Sequence, residues 1–126
     1  VPNVRATASA VIPAAPEVVY GVLADYRVGH PSILPPRSFR NLRVLEGGSG
    51  AGTRIAYQMV VWGSTRDVQA VITEPAPGRT MVETLEDGTE TAFTVAPEPG
   101  GRGSRVYAAE LRLLSEVASR EGRDRA

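Results

Sequence analysis

The chain has no cysteine among its 126 residues, one histidine and one tryptophan. Without thiols, neither a disulfide frame nor a thiolate-bound metal can form, and a single imidazole is too few for an ordinary zinc site. No metal and no cofactor is therefore expected. Neither sign of charge is in excess, since fourteen Lys plus Arg balance fourteen Asp plus Glu. The basic residues are scattered and form no stripe, which argues against a nucleic-acid partner. Long hydrophobic runs are also missing. No apolar stretch approaches the roughly 20 residues of a membrane helix, and the opening VPNVRATASA lacks the charged-then-apolar plan of a signal peptide. The expected setting is the cytoplasm, with no membrane partner. The chain begins at Val1, so a processed or trimmed N-terminus stays open.

The length suits one domain, expected to span residues 1–126, with enough chain to bury a core unaided. From Val4 to Ile12 apolar and polar residues alternate, which predicts a half-buried strand. Pro13 ends it. Pro16 suits a first helical turn, where its missing N–H costs nothing, and Glu17 complements the helix dipole. The helix runs to about Asp25, with Val18, Val19, Val22, Leu23 and Tyr26 as one apolar stripe. Gly29, Pro31, Pro35 and Pro36 then leave room only for a short second helix or irregular arm over residues 27–34.

The rest reads as strands divided by turn chemistry: 39–46, 53–62, 66–73, 80–86, 89–96 and 104–113. The segment GGSGAG, from Gly47 to Gly52, lacks the second glycine of a nucleophile elbow around Ser49. No helix follows it, and it carries no Gly-Lys-Ser/Thr, so it reads as a hairpin loop. Asp87-Gly88 reads as a two-residue hairpin turn, pairing Val82 with Phe93, Thr84 with Thr91 and Thr80 with Val95 on an inward face. Arg54 and Gln58 turn Ile55, Tyr57, Met59 and Val61 inward on their strand, and Gln69 and Thr73 leave Val68, Ala70 and Ile72 inside. Tyr107 and Leu111 share a parity opposite to Glu110 and Arg112.

The order strand, helix, short helix, six strands resembles the START-like (SRPBCC, helix-grip) superfamily, and within it the polyketide cyclase/dehydrase-like proteins. The likeness is carried by VRATASAVIPA, APEVVYGVLADY, VITEPAPGRTMVE and GGRGSRVYAAEL, over residues 3 to about 113. It implies an α+β helix-grip fold: a curved antiparallel sheet of about seven strands, gripping a C-terminal helix over a cavity for small hydrophobic ligands. Here only LSEVASREGRDRA follows Leu113. Roughly ten helical residues at about 1.5 Å each reach only about 15 Å, so that helix is expected to be truncated. A homodimer is one way to cover the face thus left open, beside a smaller capped cavity or a longer natural chain.

The candidate ligand-binding residues are Tyr26, His30, Tyr57, Met59, Ile72, Val82, Phe93 and Tyr107. Most would be cavity walls, with tyrosine hydroxyls and His30 as the few polar groups that orient an apolar ligand. Each can also be read as core packing, and His30 as a partly exposed loop residue. Tyr26 faces either the core or the cavity mouth. Trp62 is expected on the outer face with Val60, as a subunit contact or folded onto its own sheet. Glu83 is a solvated sheet residue in the register adopted. A shift of one would turn it inward, where it could pair with Arg66 for proton transfer or anchoring. Arg79 and Arg105 read as surface charges. A small hydrophobic or aromatic ligand is the expected partner. A cyclase- or dehydratase-like enzyme, using Tyr57, Tyr107 or His30 to move protons, and a protein–protein module are the alternatives.

Overall fold

A computed structural model describes residues 3–101 and 103–113. Strand β1 (Asn3–Ile12) is followed by helix α1 (Pro16–Ala24) and the one-turn α2 (Gly29–Ile33). Six strands then follow: β2 (Phe39–Glu46), β3 (Arg54–Val61), β4 (Ser64–Ala76), β5 (Thr80–Leu85), β6 (Glu90–Pro97) and β7 (Ser104–Leu113). They form one sheet in the order β1-β7-β6-β5-β4-β3-β2 with every neighbouring pair antiparallel, so β2 to β7 is a meander and β1 closes against its last strand. The expected truncated C-terminal helix lies outside the described residues.

Both helices lie against one face of the sheet, and the core forms there. Val19, Tyr20, Leu23 and Ala24 of α1, with Tyr26 just after it, pack on Ile55, Tyr57, Val68, Ala70, Ile72, Met81 and Val95. The inward parity read for β3 and β4 is the observed one at Ile55, Tyr57, Val68, Ala70 and Ile72. The stripe of α1 is rotated from its expected place: Tyr20 is buried, whereas Val18 and Val22 are exposed. The glycine-rich loop does more than join β2 to β3. Gly48 C=O accepts the Tyr26 N–H at 2.9 Å, and the Gly50 N–H donates to Ala24 C=O at 3.0 Å. These bonds satisfy backbone groups that the end of α1 leaves without helical partners.

Three expectations are corrected. The β5–β6 register is one residue away from the predicted one: Met81 pairs with Phe93, Val82 with Ala92 and Glu83 with Thr91. The loop holds three residues, Glu86, Asp87 and Gly88, because the Leu85 N–H donates to Thr89 C=O at 2.8 Å. Only Gly88 takes a positive φ, of 88°, as in a type I turn followed by a left-handed residue; Asp87 does not, as a type I′ turn would require. A one-residue slip exchanges the faces of a strand. Val82 therefore lies on the sheet face away from the helices, and Glu83 turns in, only 8% exposed.

On β7, Ser104, Val106 and Ala108 face inward, while Tyr107 is 47% exposed on the other side. The inward side chains are small, so size misleads as a guide to the face. Finally, the β3–β4 turn is Trp62-Gly63, with φ of 53° and 77°, and it closes on the Val61–Ser64 pair. Trp62 is 99% exposed at the hairpin tip and does not fold onto the sheet.

Candidate functional site

Asp25 organises the approach to α2. Its Oδ1 accepts the N–H groups of Arg27 and Val28 at 3.1 and 3.3 Å, and its Oδ2 accepts that of Gly29 at 3.3 Å. The Asp25 C=O accepts the His30 N–H at 2.7 Å. These backbone bonds hold the Asp25 carboxyl below the usual carboxylate range. They also fix the one turn of α2 that carries His30 beneath α1, where it is 2% exposed and so not a partly exposed loop residue.

The His30 ring is held on every side. Nδ1 lies 2.8 Å from the Leu23 C=O. A carbonyl only accepts, so Nδ1 carries hydrogen and Nε2 is the ring nitrogen left facing Glu83. Nε2 faces Glu83 Oε2 at 3.6 Å. The Tyr26 ring stacks on the imidazole with centroids 4.4 Å apart, and Phe93 meets it edge-on at 5.6 Å. The Tyr26 hydroxyl donates to the same Glu83 Oε2 at 2.7 Å.

Burial pushes the Glu83 carboxyl above its ordinary value, and the His30 charge and the Tyr26 hydrogen bond offset part of that rise. Burial together with the Glu83 charge drives the Tyr26 hydroxyl far above the usual phenol range, so it stays a donor. With Nδ1 protonated, Nε2 and an ionised Glu83 would meet lone pair to lone pair. A proton on either group removes that conflict. The cluster is thus a buried acid–base pair with a tyrosine donor, formed by α2, β5 and the end of α1.

This pair opens onto a cavity of about 290 Å³ between the sheet and α2. His30 and Glu83 line it with the apolar Leu34, Phe39, Leu42, Ile55, Tyr57, Met59, Val68, Leu85 and Phe93, and Arg66, Asp87, Thr89 and Thr91 are its other polar walls. The structure brings four of the sequence candidates to this cavity: His30, Tyr57, Met59 and Phe93. Tyr26 sits behind His30 in the core, and Ile72 is fully buried in the core. Val82 and Tyr107 are on the opposite face of the sheet. Glu83 was not among the candidates for the cavity, although the alternative register placed it inward. Its partners are Tyr26 and His30 and not Arg66. Among the described residues no group of three or more acidic or histidine side chains could hold a metal.

A second, more open trough of about 480 Å³ runs between β1, β7 and α1, lined by Ala8, Ala10, Ile12, Val18, Val22 and Ile33 among others, and is almost wholly apolar. No helix among the described residues is long and apolar enough to cross a membrane.

No family model and no curated protein matches the sequence. Solved structures do. The solution structure of the KanY protein matches 90% of this chain and 76% of its own, with 30% sequence identity and a TM-score of 0.78. A START superfamily protein from Mycobacterium smegmatis covers 95% of this chain and 89% of its own at a TM-score of 0.68 and 12% identity. The chain has a START-like fold. A ginseng major latex-like protein from Panax ginseng has the same START-like fold, with 86% and 78% of the two chains covered, 12% identity and a TM-score of 0.65. In this START-like chain the feature that separates the cavity from a plain apolar core is the His30–Glu83 pair.

Proposed function

We propose that the protein binds a small hydrophobic or aromatic molecule in the cavity under α2. The observation carrying this reading is a buried acid–base pair, His30 and Glu83, on the wall of an otherwise largely apolar cavity. Ligand sites of this kind combine apolar walls with a few placed polar groups. At about 290 Å³ the space lies at the small end of the range for such sites, so the ligand has one or two rings. Phe39, Tyr57, Met59 and Phe93 supply its walls, and a hydroxyl or carbonyl on the ligand shares the proton held by the pair. A homodimer that covers the exposed Val18, Val22 and Ile33 beside the trough, and a cytoplasmic setting, belong to the same proposal.

The test is titration with 2-naphthol, followed by the NMR signal of the Met59 methyl group. Saturable shifts of that methyl, weakened by Glu83→Gln, are the expected result. A methyl that does not respond while the probe binds elsewhere would reject the cavity as the site.

The Tyr26–Glu83–His30 cluster also favours a second reading, a cyclase- or dehydratase-like enzyme. The ionised pair can take a proton from carbon next to a carbonyl. The resulting enolate closes a ring on a second carbonyl and the proton passes to the new alkoxide; removal of a second proton from the same carbon and its delivery to that hydroxyl then releases water and leaves a double bond. Turnover of a poly-β-keto substrate that disappears in Glu83→Gln would select this reading over plain binding.

A further inference from the structure

Arg66 stands, exposed, at the rim of the same cavity, and no carboxylate among the described residues pairs with it. It occupies an even-numbered position of β4 with Val68, Ala70 and Ile72, all buried on the helix-covered face. Its cross-strand partner is Met59, a thioether. Among the described residues its guanidinium makes no hydrogen bond or ion pair, whereas Arg54 holds Glu46 at 3.0 Å and Arg105 holds Glu98 at 3.0 Å. Nearby carboxylates have other partners. Asp67 accepts the Gln58 side-chain N–H at 3.3 Å, and Asp87, which shares the cavity lining, accepts the Thr89 N–H at 2.9 Å.

A guanidinium presents five N–H donors in a planar fork that fits a carboxylate with two parallel bonds. Set beside Met59 and Phe39, at the edge of an apolar space, it lacks only the acceptor. We infer that the cavity takes a small aromatic or alicyclic acid, with its ring between the apolar walls and its carboxylate on Arg66. This rests on the proposed cavity binding and adds the charge of the ligand to it. The two polar ends of the site then set a direction: the anionic group lies at the rim, and any hydroxyl or carbonyl faces His30 and Glu83.

The experiment is calorimetric titration of the full chain with 2-naphthoate and with 2-naphthamide, its uncharged counterpart of nearly the same shape. Wild type should prefer the naphthoate by about tenfold, the scale of one charge-assisted pair. Arg66→Gln should abolish that preference without changing naphthamide affinity, and Arg66→Lys should keep part of it. The preference should also shrink as salt is raised. Equal affinity of wild type for the two probes, or equal weakening of both by Arg66→Gln, overturns the assignment of Arg66 while leaving cavity binding intact. If neither probe binds or moves the Met59 methyl signal, cavity binding itself fails and the assignment falls with it.

Discussion

The Tyr26 hydroxyl and the Glu83 carboxylate meet at 2.7 Å, one at the end of the first helix and the other in the middle of the sheet. Burial holds the Glu83 carboxyl above the usual carboxylate range, so folding favours its protonated form. Stability from that preference is full below the unfolded pKa and is lost as pH rises through the folded value. Glu83→Gln should remove this slope. The amide oxygen, placed where Oε2 was, can still accept from Tyr26. Relative to wild type, the variant should gain stability between about pH 4 and about pH 8 in urea melts. A wild-type slope that persists in the variant would assign the titration to another group.

Glu74 carries the opposite slope. Its Oε2 accepts the Tyr20 hydroxyl at 2.6 Å and its Oε1 accepts the Ala51 N–H at 2.6 Å, so one carboxylate ties α1, β4 and the glycine-rich loop together. The Tyr20 bond first, then the Ala51 bond, hold it below its ordinary pKa. The stability this provides is present above the unfolded pKa and lost as pH falls through the folded value. Glu74→Gln should cost about 1 kcal/mol at neutral pH, and the difference should close in acid. Denaturation curves at both pH values check this, and a deficit independent of pH would contradict it.

Trp62 holds a left-handed conformation, φ 53°, in a two-residue turn while 99% exposed. Asparagine is favoured at that position of a type I′ turn, and no packing is lost in the exchange. Trp62→Asn should raise stability by about 0.5 to 1 kcal/mol. Circular dichroism is the readout, because Trp62 is the only tryptophan. A destabilised variant would show that the ring makes a contact in solution.

Gly29 begins α2 directly against α1. A methyl group there would collide with the Val22 carbonyl oxygen, which is backbone and cannot rotate away. Gly29→Ala should therefore displace α2 and the His30 it carries, at a cost of about 2 kcal/mol, and weaken naphthol binding as well. Thermal melts and the Met59 methyl titration read both effects. Wild-type behaviour in both would mean that the two helices have room to part.

Much of the architecture is legible along the chain because strand and helix periods are local properties. The bounds of β2 and β7 coincide with the predicted ones, and Pro16 and the apolar stripe locate α1 within a residue. The cavity was legible only in part. Tyr57 and Met59 follow from alternation on β3, and Phe93 lines the cavity although its pairing was misread. Glu83 escaped because Asp-Gly serves two hairpins equally well. A two-residue turn and a three-residue loop both place Gly88 at positive φ, and they differ by one residue in register.

Composition and periodicity alone determined the number of strands, their order with respect to the helices, and the absence of thiol chemistry, since each depends on neighbours in the chain. The face each strand presents was decided by the tertiary structure. Turning Met81 and Leu85 inward places Glu83 among Tyr26 and His30, where its charge has a partner. That balance of burial against pairing exists only once α1, α2 and β5 are packed together, and no local pattern can encode it.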